Sequence, residues 1–409
     1  MTLRILHTAD LHLDSPLRSL AMKDDRLAAQ VRGASRQALE TMVQYCIDER
    51  VSAFLISGDL YDGQERSAKT AAYLAAQMHR LAQADVRVFY IKGNHDAENP
   101  IAGEIDLPPN VHVFDGRGEK VQLANHPVYI HGVSFRDRHA PESLLPKYTV
   151  PEAGAVNIAM MHTSLAGAEG HDLYAPVSVG ELAGAGFDYW ALGHVHKRAV
   201  HSEDPWIVMP GMPQGRDIGE AGPKSASLLT IEDGKISVSE VATSVVEFRR
   251  CDCDVTGAET DEDLRRKLRS ALQAQAGRGA AILRLRVTGQ TALAWQIRQL
   301  ADVWRAQADE IAESIGDLWI EKMSVDVTAV SEDAVDGAVA EVQQLMTDIA
   351  KEPATRDRLQ QELSQILGLL PADQRRALAP DAEAQEALLR QLTDEAVLTM
   401  AAQMRGAGE

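Results

Sequence analysis

Apolar residues recur in two rhythms along the first part of the chain. Residues 3–7 form a short β-rich run. Residues 34–50 follow helical spacing, with Leu39, Val43, Cys46 and Ile47 on one face. Residues 53–57 read as a strand, 66–83 as a helix and 86–91 as a third strand. This strand–helix–strand alternation predicts a layered α/β domain. Beyond residue 110 the runs are mostly β, at 111–114, 128–133, 156–161, 187–192, 206–209, 226–231 and 236–241, which predicts a second sheet packed on the first.

A second segment reads strand 246–253, helix 261–275, strand 281–288, helix 291–313 and strand 318–327, a small β-α-β-α-β unit. From Ser331 onward there is no Phe, Tyr, Trp, His or Cys. Apolar residues recur there at helical spacing, as in Val335, Val339, Val342, Leu345 and Ile349, and Pro353, Pro371 and Pro380 divide the stretch into three helices. Stripes without aromatics need each other or a partner helix to cover them. The expected organisation is 1–243, 244–328 and 329–409.

Composition narrows the class. With 45% apolar and 25% charged residues in 409, the chain has an ordinary globular make-up, and it contains no apolar stretch long enough to span a membrane. The first apolar run is too short for a signal peptide. Three cysteines, Cys46, Cys251 and Cys253, exclude a disulfide scaffold and fit a reducing cytoplasm. Cys251 and Cys253 alternate on a predicted strand and so share a face, as buried small side chains do. The formal charge of −19 argues against coating nucleic acid by bulk charge, but not against binding through a local basic face. Such a face is available between residues 264 and 298. This stretch has no acid and eight bases: Arg265, Arg266, Lys267, Arg269, Arg278, Arg284, Arg286 and Arg298.

Five polar clusters end predicted strands. They are Asp10-Leu11-His12, Gly58-Asp59-Leu60-Tyr61-Asp62, Gly93-Asn94-His95-Asp96, Met161-His162 and Gly193-His194-Val195-His196. Ligands collect at the carboxyl ends of strands in open α/β sheets, so clusters dispersed in sequence can converge in space. A glycine before the polar group lets the backbone turn sharply and keeps the site open. Asp, Asn and His with no thiolate suit divalent ions such as Mn²⁺, Fe²⁺ or Zn²⁺. Seven candidate ligands exceed the needs of one ion but match two sharing a carboxylate. Two ions about 3.5–4 Å apart can polarise a phosphoryl oxygen, generate hydroxide and stabilise a leaving oxygen, so the inferred reaction is phosphoester hydrolysis. Asp14 and Asp62 read as turn or supporting groups rather than ligands. His7, His79, His112, His126, His131, His139 and His201 read as ordinary hydrogen-bonded residues, and His171 as a candidate for the rim of the site.

Taken in order, the blocks DxH, GDxxD, GNHD, H and GHxH resemble the signature of the calcineurin-like metallophosphoesterases. The stretches at 7–16, 188–196 and 210–216 are similar to the SbcD branch of DNA repair exonucleases, and within it to the YhaO type. The resemblance implies a four-layer β-sandwich flanked by helices, a small α+β capping domain that touches DNA, and a helical C-terminal tail. It implies that Asp10, His12 and His196 hold one metal ion and Asn94, His162 and His194 a second, with Asp59 bridging and Mn²⁺ preferred. His95 would contact the scissile phosphate and serve the leaving oxygen, and Asp96 would orient the His95 ring. Arg265, Arg266, Lys267 and Arg269 of the basic stretch, with Arg216, are the expected DNA contacts. The same resemblance implies a homodimer and an SMC-like, SbcC-type ATPase bound by the C-terminal helices. The expected activity is Mn²⁺-dependent exonuclease, 3′→5′, with single-strand endonuclease activity. Two alternatives stay open at this point: a phosphodiesterase for cyclic nucleotides or nucleotides, and a non-catalytic scaffold that binds DNA ends.

Overall fold

The computed structural model describes residues 2–15, 33–62, 67–97, 107–165, 174–277, 279–329, 337–370, 374–375 and 378–406; the side chains of 337–340, 398–399 and 401–406 are not among them. His171, Arg278, Pro371 and Pro16 lie outside the described residues.

The chain begins β1 (Leu3–Thr8), α1 (Ala34–Asp48), β2 (Ala53–Ser57), α2 (Ala68–Gln83), β3 (Arg87–Ile91), the one-turn α3 (Asn94–Ala97) and β4 (Val111–Val113). Strands β1 to β4 pair in parallel, each with the next. There follow β5 (Glu119–Gln122), β6 (Val128–Gly132), β7 (Val156–His162), α4 (Val179–Gly184), β8 (Tyr189–Gly193), β9 (Ala199–Glu203), β10 (Trp206–Met209), β11 (Ser225–Glu232) and β12 (Lys235–Ala242). Two six-stranded sheets result, in the orders β12-β11-β1-β2-β3-β4 and β5-β6-β7-β8-β10-β9.

Alternation along each strand sends side chains to opposite faces, and this builds the layers. Ile5, Ala53, Leu55, Phe89 and Ile91 of the first sheet meet Ile130, Ile158, Met160, Tyr189 and Val208 of the second in one buried cluster. The opposite face of the first sheet, with Leu6, Phe54, Ile56, Val88 and Tyr90, is covered by Leu39, Met42, Val43 and Cys46 of α1 and by Leu74, Met78 and Leu81 of α2. The outer face of the second sheet carries Met161, Trp190, Leu192 and Ile207 against Leu182 of α4. Helix, sheet, sheet and helix therefore form four layers, as the resemblance implied.

Strands β5 and β9 are missed by the sequence reading, because they lie at the two edges of the second sheet and consist of half-buried and exposed residues (Glu-Lys-Val-Gln and Ala-Val-His-Ser-Glu), giving no apolar run. A three-stranded sheet follows, β13 (Val246–Asp254), β14 (Ala280–Gln290) and β15 (Leu318–Thr328). Its strands are divided between two compact units: Met1–Arg250 with Gly277–Arg284 and Asp317–Glu321, and Cys251–Ala276 with Leu285–Gly316 and Lys322–Glu409.

In the second unit, α5 (Asp261–Gln273) starts on a Thr260–Asp263 capping box and buries Leu264, Leu268 and Leu272. The helix expected over 291–313 is two helices, α6 (Ala294–Gln299) and α7 (Ala301–Ile315). The first residues form a turn, in which Thr291 Oγ1 accepts from the Leu293 amide and donates to the Ala258 carbonyl, and the helix is interrupted at Leu300. The tail carries α8 (Gly337–Lys351), α9 (Pro353–Gly368, with Pro353 at its first turn) and α10 (Ala382–Gly406). Leu363, Leu367 and Leu389 form a small cluster, whereas Leu345, Ile349, Ile366, Leu392 and Met400 remain exposed. Among the described residues no helix is long and apolar enough to cross a membrane. The three cysteines are free and buried.

Candidate metal centre

The site lies at the carboxyl ends of β1, β2, β7 and β8 and at the start of α3. The loop after β1 runs beside the loop after β2: the Asp10 amide donates to the Gly58 carbonyl (3.0 Å) and the His12 amide to the Asp59 carbonyl (3.1 Å). The turns are tight enough that four non-glycine residues take left-handed backbone angles, with φ of 53° at Asp10, 41° at His12, 51° at Asp59 and 105° at His194. Such residues store strain, and they cluster where the surrounding fold overrides local preference. A Cβ on Gly93 would lie 2.2 Å from Asp59 Oδ1, and one on Gly193 would lie 1.9 Å from the Ser57 carbonyl. These glycines are required by close approach rather than by turning.

All seven expected ligands come together. Asp10, His12 and His196 offer donor atoms within 4.8 Å of one another, as do Asp59, His162 and His194. Asn94 joins the second group: its Oδ1 is 3.0 Å from His162 Nε2 and 3.3 Å from His194 Nδ1. Asp59 faces both groups, with Oδ2 3.4 Å from His162 Nε2 and 3.9 Å from His12 Nε2. The Asp10 carboxylate accepts from the His194 amide through both oxygens, at 3.0 and 3.1 Å.

The donor set fits divalent cations on three counts. Imidazole nitrogens point at each other across the cage, His12 Nε2 to His196 Nε2 at 3.2 Å and His194 Nδ1 to His162 Nε2 at 3.3 Å. The His162 Nδ1 proton is directed to the Ser57 carbonyl, 2.9 Å away, which leaves Nε2 to face the cage. The electrostatics are those of a cation site. Burial opposes a charge on His162, yet the Asp59 and Asp10 carboxylates prevail and raise its pKa to about 9. Burial pushes Asp10 up. It works the same way on Asp59, where attraction to His162 wins and holds the carboxyl far below its ordinary range.

His95 stands beside the cage, with its ring centroid 4.9 Å from that of His12 and its side chain 33% exposed. Burial lowers its pKa, against the pull of Asp59. The Asp96 carboxylate accepts from the amides of Tyr61 and Gly93, both at 3.0 Å, and among the described contacts none joins it to the His95 ring. Asp96 occupies the first turn of α3, where unpaired amides attract a carboxylate. Besides Asp59, the acid near the His95 ring is Asp62, whose Oδ1 is 3.8 Å from His95 Nδ1 and 3.6 Å from His12 Nδ1. Asp14 is held away from the cage by the Arg36 guanidinium and by Thr70.

Glu220 escaped the sequence reading. It accepts from His196 Nδ1 at 2.8 Å and is bound by Arg216. Burial opposes its charge, but His196 and Arg216 keep the carboxyl well below the usual range. No motif or spacing marks it. A cavity of about 740 Å³ opens beside the cage, lined by His95, His194 and His196 and also by Arg138, Lys197, Lys224 and Arg250.

In the second unit, the acid-free stretch is partly neutralised by acids outside it. Arg266 pairs with Asp263 and Arg286 with Asp252, while Arg265 donates to Gln307. Arg284, in the first unit, pairs with Glu321.

Residues 3–198 match the calcineurin-like phosphoesterase family, and residues 248–328 match the middle domain of the metallophosphoesterase YhaO. The YhaO metallophosphoesterase of Bacillus subtilis is 31% identical over 318 residues, covering 76% of this chain and 77% of that protein. The DNA double-strand break repair protein Mre11 of Methanopyrus kandleri is 25% identical over 300 residues, covering 65% of this chain and 62% of the relative. Its namesake from Methanosarcina acetivorans is 24% identical over 270 residues, 63% of this chain and 41% of the relative, so the chain spans less than two thirds of either Mre11 protein. With YhaO matched over most of its length and the motif side chains gathered at the strand ends, the chain belongs to the calcineurin-like metallophosphoesterases and is a metal-dependent phosphoesterase.

Proposed function

We propose that this chain is an SbcD-like nuclease subunit that hydrolyses DNA phosphodiester bonds with two divalent ions, Mn²⁺ by resemblance. The observation that carries this reading is the grouping of Asp10, His12 and His196 beside Asp59, His162 and His194, with Asp59 facing both. Asp10, His12 and His196 would hold one ion and Asn94, His162 and His194 the other, with Asp59 shared. Such ions, when bound, polarise the phosphoryl oxygen and make water a nucleophile at neutral pH. His95 would contact the scissile phosphate and hold a proton at the leaving oxygen. Asp62, 3.8 Å from His95 Nδ1, would attract the His95 ring together with Asp59. Arg138, Lys197, Lys224 and Arg250 give the cavity the positive rim that a phosphodiester needs.

Two further features support a DNA substrate and a protein partner. Arg265, Arg266, Lys267 and Arg269 lie on the middle turns of α5, exposed or half-buried, and the Arg266–Asp263 pair is exposed enough to exchange for phosphate. Arg216, by contrast, is committed to Glu220 and would act near the scissile group rather than along the duplex. On the tail, Ile349, Ile366, Leu392 and Met400 line an open apolar groove of about 390 Å³, a surface suited to the coiled coil of an SMC-like ATPase.

The test compares manganese-dependent hydrolysis of labelled DNA with that of a chromogenic phosphodiester, for the wild type and for His95→Asn. We expect DNA cleavage by the wild type, and a His95→Asn variant that keeps its metal content and loses at least ~100-fold in rate. Cleavage of the small diester with DNA left intact would point to the nucleotide phosphodiesterase reading, which a cavity of about 740 Å³ also accommodates.

A further inference from the structure

His196 is held from behind. Its Nε2 faces His12 Nε2 at 3.2 Å, while its Nδ1 lies 2.8 Å from Glu220 Oε1 and 3.1 Å from Arg216 Nη2. Glu220 is fixed in turn: Arg216 donates its backbone amide to Oε2 at 2.8 Å and its Nη2 to Oε1 at 2.8 Å. Two tautomers of His196 can be written. A proton on Nδ1 is donated to Glu220 and leaves the Nε2 lone pair facing the cage. A proton on Nε2 would instead be shared with His12, and the bare Nδ1 would press against a carboxylate oxygen, two acceptors in contact. Arg216 Nη2 has two hydrogens and could offer one to Nδ1 across 3.1 Å while keeping the other on Glu220, but Nδ1 and Oε1 would still face each other at 2.8 Å with no proton between them. The short Nδ1–Oε1 distance therefore selects the first tautomer.

We propose that Glu220 is a positioning residue of the metal centre: it holds the Nδ1 proton of His196 so that Nε2 is free to bind a cation, and Arg216 locks Glu220 in place. The inference rests on the two-metal reading and adds a residue that the motifs do not contain. Without Glu220, His196 can place its proton on Nε2 and donate to His12, which closes the Asp10, His12 and His196 group to an ion.

The test uses the full chain stripped of metal. Calorimetric titration with manganese(II) reads stoichiometry and affinity, and ¹⁵N spectra of histidine-labelled, metal-free protein read the tautomer, with the signal assigned from a His196→Gln sample. The wild type should bind two ions and show His196 protonated on Nδ1. Glu220→Ala should weaken one ion by about 10- to 100-fold, leave the other in place and shift His196 toward the Nε2-protonated form. Glu220→Gln, whose amide oxygen still accepts the proton, should restore most of the lost affinity, and it keeps the test decisive if the alanine variant does not fold. Two ions bound with wild-type affinity by Glu220→Ala, or a wild-type His196 protonated on Nε2, would overturn the role of Glu220 alone. A wild type that binds no manganese would overturn the metal reading with it.

Discussion

Replacing Gly93 with Ala perturbs the centre by one methyl group. The new Cβ would sit 2.2 Å from Asp59 Oδ1 and 2.8 Å from both the Asp59 amide nitrogen and His162 Cε1. Gly93 does not take a left-handed angle, so alanine is not excluded by its backbone, and the effect is one of space. Opening the first contact from 2.2 Å to the 3.4 Å of ordinary van der Waals contact moves the carboxylate by about 1.2 Å. Asp59 cannot simply swing aside, because it is buried and its own backbone nitrogen is the second obstacle. The same Oδ1 accepts from the His95 amide at 2.9 Å, so the shift also disturbs the proposed proton donor. A misplacement of ~1 Å in a reacting constellation is worth on the order of 100-fold in rate, or about 2.7 kcal/mol of barrier. Gly93→Ala should therefore lose at least ~100-fold in kcat/KM on a chromogenic phosphodiester in manganese, with weaker manganese binding. Thermal unfolding of the same sample checks that the four layers persist. Wild-type turnover in a folded Gly93→Ala protein would refute the claim that Asp59 joins the two groups of ligands.

Three other expectations follow from the structure. Asp96→Asn can satisfy only one of the two amides that the carboxylate now receives, so it should lower stability by ~1–3 kcal/mol, read as a shift in urea midpoint; an unchanged midpoint would contradict the amide-binding role. Ile366→Glu with Leu392→Glu alters exposed tail positions and should abolish capture of an SMC-like ATPase while leaving phosphodiesterase activity unchanged; continued capture would remove the tail groove as the docking surface. Replacing Arg265, Arg266 and Arg269 with Ala should weaken DNA binding and flatten its dependence on log salt by about one unit of slope per residue, and identical slopes would rule out α5 as a phosphate contact.

What repeats locally, or is spelled in short motifs, was legible in the chain. Alternation in β1, β2 and β3 assigned their side chains to two faces, because a strand has period two whatever it packs against. The five polar clusters named the seven ligand candidates and His95, since each lies where a strand ends and a loop begins. That these clusters meet in space is a property of the folded sheets alone. The partners His12 and His196 are 184 positions apart, and no local period carries their distance. The same reason explains what the chain alone does not show. The resemblance sets Asp96 behind the His95 ring, whereas its carboxylate accepts from the Tyr61 and Gly93 amides and Asp62 approaches that ring from another loop. Glu220 had no motif to announce it, because its role exists only where its loop meets His196. The acid-free stretch at 264–298 read as a basic patch, yet Asp252, Asp263 and Glu321 return charge to it across strands and helix turns. Charge counted along a chain is one-dimensional, and electrostatics acts through space.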